Sequence, residues 1–86
     1  MKTDLQRIPG VGANMEQHLL KLGYHCVAQL AGEDPEEMYL RECALAKGPV
    51  DRCVLYVYRL AVYFAQTESP EPELLKWWNW KEKREI

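Results

Sequence analysis

Near the start of the chain stands Ile8-Pro9-Gly10-Val11-Gly12, a pattern able to hold an anion against the main chain. Pro9 fixes φ near the value that a tight exit from a helix needs, while Gly10 and Gly12 tolerate positive φ and present backbone without a β-carbon. A phosphate can approach such a strip closely. If a helix begins just after Gly12, the unpaired amides of its first turn, at Ala13 and Asn14, point outward with the positive end of the helix dipole behind them. Ile8 and Val11 alternate with the glycines and anchor the turn in a core. The same residues also serve as a plain interhelical turn with no ligand, and the sequence leaves both readings open.

Other chemistry is thinner. His18, His25 and Cys26 invite a metal reading, but no further ligand has suitable spacing and no Cys-x-x-Cys occurs. No nucleophile, base and orienter can be assembled, so neither an enzyme nor a cofactor is expected. Arg52, Tyr56, Arg59 and Tyr63 recur at spacings of one helix face. They can stack on and neutralise a nucleic-acid strand, or, more simply, cover a core edge while the arginines pair with acids. Glu36, Glu37 and Glu42 read as a solvated helix face. Trp77, Trp78 and Trp80 form either a partner-binding hot spot or, the favoured reading, a segment that folds back to close a small core.

These residues need elements to position them. Thr3 and Gln6 have the spacing of a capping box, which predicts a short helix over about 3–7 that Pro9 and Gly10 end. A second helix is predicted over 14–22, with Met15, Leu19 and Leu22 on one face and Gly23 closing it. "CVAQLAG" supplies a single turn. Asp34 as N-cap with Pro35 at the first helical position starts another helix that runs to about Lys47. Gly48 and Pro49 interrupt, and Asp51 caps a last helix to about Ala65, apolar almost all round, with Cys53, Val54, Val57, Leu60, Ala61 and Phe64 on its main face. It should be the central, most buried element. "TESPEPE" then reads as a linker before the Trp-bearing tail.

The chain has 86 residues, one domain's worth, with 48% hydrophobic and 28% charged residues, a balance that folds rather than stays disordered. Three cysteines, Cys26, Cys43 and Cys53, cannot pair completely and are expected as free buried thiols. With no charged leader and no span long enough for a bilayer, a cytoplasmic setting is expected. A net charge of −2 argues against a general polyanion binder. Carboxylates concentrate at Glu33, Asp34, Glu36, Glu37 and Glu42, so an anion site should lie outside that block, nearer Arg7 and Lys21.

The stretch "DLQRIPGVGANMEQHLLKLG", Asp4 to Gly23, resembles a helix-hairpin-helix motif, whose members bind DNA through hairpin amides without reading its sequence. "QLAGEDPEEMY", "VDRCVLYVYRLAVYFA" and "PELLKWWNWK" extend the similarity to small bacterial helix-hairpin-helix proteins of the pathogenicity-locus family, some labelled as mitomycin-resistance proteins. The resemblance implies an all-α fold of tandem helix-hairpin-helix units over 1–66, the second hairpin, "KGPVD", being degenerate, with a linker and Trp-rich tail over 67–86 packing on it. It implies phosphate-facing amides at Gly10, Gly12 and Ala13 around Val11, and a polar contact at Asn14, with help from Arg7 and Lys21. Many DNA-binding members carry a basic or hydroxyl residue near Asn14 and a small one at Glu16. The expected function is therefore weak, sequence-nonspecific binding of duplex DNA without catalysis; the alternative is a protein-interaction module that keeps the fold, with Trp77, Trp78 and Trp80 as partner contacts.

Overall fold

The computed structural model describes residues 3–81; residues 82–86 of the expected tail, and residues 1–2, lie outside them. All regular structure among the described residues is helical. A 3-10 turn, Leu5–Arg7, leads into helix α1, Ala13–Lys21; a second 3-10 turn, Val27–Leu30, precedes α2, Pro35–Ala46, and α3, Arg52–Gln66; two more, Pro72–Leu75 and Trp77–Trp80, follow.

The two long helices start where side chains stop them fraying. Asp34 accepts a hydrogen bond from the Glu36 amide at 3.0 Å, and Asp51 one from the Cys53 amide at 2.8 Å, each satisfying one of the donors a helix start leaves open. Lys47 ends α2 in the left-handed region at φ 56°. The expected capping box at Thr3 and Gln6 does not form. Thr3 Oγ1 accepts from the Leu5 amide at 3.2 Å and donates to Glu16, and Gln6 donates to the same carboxylate at 3.3 Å. With both side chains drawn to α1, the segment makes one 3-10 turn instead of a helix over 3–7.

Helix α3 is the axis of the core: Val54, Leu55 and every residue from Val57 to Tyr63 are buried. It packs against α2, the Val27–Leu30 turn and the Trp-bearing turn. Leu5, Ile8, Leu19 and Leu30, at most 1% exposed, close the core from the N-terminal half, each contributing about 1.5–3 kcal/mol of burial. The thiols do not join it as expected: Cys53 is exposed, and Cys26 and Cys43 are half-buried and unbonded to one another. Phe64 is only half-buried too, while Tyr58, Arg59 and Tyr63 are buried on a helix that packs against α2 and the Trp-bearing turn.

That burial overturns the solvated reading of Glu36 and Glu42. Glu42 is 4% exposed, accepting from Tyr58 Oη at 2.7 Å and lying 2.8 Å from His18 Nδ1. One carboxylate thereby joins α1, α2 and α3. Arg59, 9% exposed, bonds Glu36 at 2.8 Å and the main-chain oxygens of Trp80 and Lys81 at 2.7 and 3.3 Å. It thus pairs with the acidic block and is closed to a nucleic-acid strand, as is buried Tyr63. Among the described residues, every buried side-chain nitrogen and oxygen has a hydrogen-bond partner, the condition under which buried charge is tolerable.

The tail docks, and its tryptophans divide. Trp80 is 2% exposed, its ring 5.4 Å from that of Tyr63 and its indole donating to the Leu74 carbonyl at 2.8 Å. Trp77 packs half-buried against the core. Trp78 stays 51% exposed. Trp80 is therefore unavailable to a partner.

Candidate nucleic-acid interface

The Ile8–Gly12 turn is fixed from below and open above. Ile8 and Val11 are 1% and 5% exposed, and the Val11 amide donates back to the Ile8 carbonyl at 3.0 Å. Between them Gly10 takes φ 88°, a conformation that strains any residue with a β-carbon. Gly12 was expected to need the same freedom and does not: its φ of −99° and ψ of −167° are extended backbone open to most residues. What Gly12 supplies is the missing side chain. A β-carbon there would meet nothing within 4 Å, so the space above it is free.

Gly12 is also the N-cap of α1, and it has no side chain with which to cap. The first bond of the helix runs from the Glu16 amide to the Gly12 carbonyl at 2.9 Å. The amides of Ala13, Asn14 and Met15 come before it and belong to the open first turn. Gly12, Ala13 and Asn14 are exposed. The contrast with α2 and α3 is chemical, since in those helices an aspartate occupies the place an incoming anion would take.

Charge around the turn is mixed. Arg7 is 72% exposed and 3.9 Å from Asp4, whose carboxylate also accepts from the Val27 amide at 2.9 Å. Glu16, the acid on the first turn of α1, is engaged by Thr3 and Gln6, which draws part of its charge away from the open amides. Lys21 lies at the far end of α1, about 12 Å along the axis from Ala13 at 1.5 Å per residue, in a hollow shared with Glu42 and Leu45. The structure thus gathers Arg7, Gly10, Val11, Gly12, Ala13 and Asn14 and leaves Lys21 out. His18 is committed to Glu42, and no group of three or more metal-ligating side chains is found among the described residues.

The turn has one neighbour that its sequence does not announce. A β-carbon at Gly10 would lie 3.5 Å from Trp77 Cδ1 and 3.6 Å from Leu60 Cδ2, so the docked tail forms one wall of the turn. The burial of Glu42 was missed as well, though a signal existed: it follows Met38 by four residues and so shares the apolar face of α2. Burial and the Glu42 carboxylate together push the Tyr58 phenol far above its ordinary value.

The pathogenicity locus (Cdd1) family pattern matches residues 1–86, the full chain. The chain belongs to that family. Among curated proteins, the mitomycin resistance protein McrB of Streptomyces lavendulae is 29% identical over 82 residues, which cover 95% of this chain and 74% of McrB. No solved structure matches the chain. Of this family member it can also be said that, among its described residues, no helix is long and apolar enough to cross a membrane.

Proposed function

We propose that this pathogenicity locus protein is a tandem helix-hairpin-helix module that binds duplex DNA weakly, without sequence preference or catalysis, in the cytoplasm. The first pair is the Leu5–Arg7 turn and α1 joined at Ile8–Gly12; the second, degenerate pair is α2 and α3 joined at Lys47–Asp51. The observation that carries the reading is the open N-terminus of α1, exposed and uncapped by any side chain, behind a turn whose apolar residues hold it rigid. Backbone amides at a helix start bind phosphate without regard to the base it carries. The second junction lacks this chemistry because Asp51 fills its helix start.

The test separates folding from binding. Gly12→Asp gives α1 the cap it lacks, so the helix should gain a few tenths of a kcal/mol while the new carboxylate occupies the amides and repels phosphate. The expected result is an unchanged or higher melting temperature with loss of duplex binding by fluorescence anisotropy. For the unaltered protein, affinity should fall with log salt at about −0.9 per phosphate, hence about −2 to −4 for two to four phosphates. Unimpaired binding by Gly12→Asp would remove the turn from the interface.

A second reading is favoured by a different observation. Leu40 and Leu45, 66% and 59% exposed on α2, and Trp78 are large apolar groups in water, as a protein-interaction module would display. Failure of the unaltered protein to bind duplex at low salt would give that reading the lead.

A further inference from the structure

Trp78 is an exposed aromatic ring on a segment that is otherwise held fast. The Glu71 amide donates to Tyr63 Oη at 2.9 Å, Arg59 holds the Trp80 and Lys81 carbonyls, the Trp80 indole holds Leu74, and Asn79 Nδ2 holds the Glu73 carbonyl at 2.7 Å. Trp77, next in line, wedges against Gly10 and Leu60. The Trp78 ring stands edge-on to it, 5.7 Å between centroids at 85°. A large flat ring is thus presented to solvent one ring away from the turn that carries the open amides; Lys81 closes its segment, exposed, while Lys76 before it pairs with Glu73 at 3.3 Å.

We propose that Trp78 is a stacking platform for an unpaired base, so that this protein prefers DNA in which a duplex meets a single-stranded end. The inference rests on the reading of the Ile8–Gly12 turn as a phosphate site. Once that turn grips a backbone phosphate, a base nearby lies within reach of Trp78, but in an intact duplex its faces are covered by its neighbours. An unpaired base has a free face, and stacking on an aromatic ring is indifferent to which base it is. Because the tail is already ordered, little conformational freedom is lost on contact. Lys81, exposed at the end of the same segment, suits a polyanion better than it suits an apolar protein surface, and with Trp80 buried and Trp77 half-buried against the core, Trp78 is the ring most open to stacking.

The experiment compares a blunt GC-clamped duplex with the same duplex bearing a short 5′ or 3′ overhang whose first unpaired base is 2-aminopurine. The unaltered protein should bind an overhang form more tightly by a factor of about 5 to about 150, the range one base–aromatic stack supplies, with quenching of 2-aminopurine emission. Trp78→Ala should lose the preference and the quenching yet bind blunt duplex as before, and Trp78→Phe should keep most of both. Circular dichroism should show both variants folded, since the ring they alter is exposed. Equal binding of blunt and overhang duplex by the unaltered protein, or a preference that survives Trp78→Ala, overturns the inference and leaves the turn's role intact. Absence of binding to either DNA overturns both.

Discussion

At Gly10 a left-handed backbone and a close aromatic wall coincide. Gly10→Ala is expected to destabilise the protein by about 1–2 kcal/mol, the cost of a β-carbon at positive φ, measured as a lower urea midpoint with unchanged slope. Its neighbour Gly12 has no such strain, so substitutions there report on phosphate rather than on folding. Tyr58 gives a second test at this scale. Its folded pKa is raised above the ordinary 10.0, so the folded state keeps a proton that the unfolded chain releases as pH climbs past 10. The stability associated with it is complete below that point. It should decline above pH 10 by about 1.4 kcal/mol per unit from this one group. Tyr58→Phe should flatten that part of the alkaline decline in denaturation midpoints, leaving the parts due to Tyr24 and Tyr39, whose phenols burial also raises.

Helix starts were legible because their signals are local. Asp34-Pro35 and Asp51 mark the first turns of α2 and α3 within a residue, and the glycine at position 12 marks that of α1. Where partners come from distant elements, local pattern misled: Glu16 captures Thr3 and Gln6 and dissolves the expected first helix, and Tyr58 and His18 draw Glu42 inside. The turn itself was readable from Ile8 to Asn14, and so was the place of Lys21 at the far end of the next helix, but not that Gly12 would be extended or that Trp77 would wall the turn. The cap at Asp51 is testable. Its pKa is lowered chiefly by the backbone hydrogen bond from Cys53, so its contribution is present above the ordinary 3.8 and fades as pH falls through the depressed value. Asp51→Asn keeps a capping oxygen that does not titrate. Its urea midpoint should fall less steeply than the unaltered protein's as pH is lowered below 3.8.

For the molecule as a whole, the Trp-bearing segment is core and not appendage. A chain this size has a net stability of roughly 4–13 kcal/mol, and replacing a buried tryptophan with alanine costs about 3–5 kcal/mol. Trp80→Ala should therefore remove a large part of the total, seen as a steep drop in melting temperature and loss of near-ultraviolet dichroism. Trp78→Ala should leave both nearly unchanged. Arg59 couples the two sides of this arrangement, since the guanidinium that holds the tail also holds Glu36 at the start of α2.

The contact between Gly10 and Trp77 also orders events in time. Gly10 is made before Trp77, and at about 5–20 residues per second roughly 3 to 13 seconds separate them. Until then a nascent chain carries the Ile8–Gly12 segment without the wall that flanks it and without the Trp80 and Lys81 carbonyls that engage Arg59. The turn takes its final shape only after the Trp77–Trp80 segment has been made and has docked, so chains whose synthesis has not passed that point present it unfinished and the mature surface belongs to molecules whose Trp-bearing segment is in place.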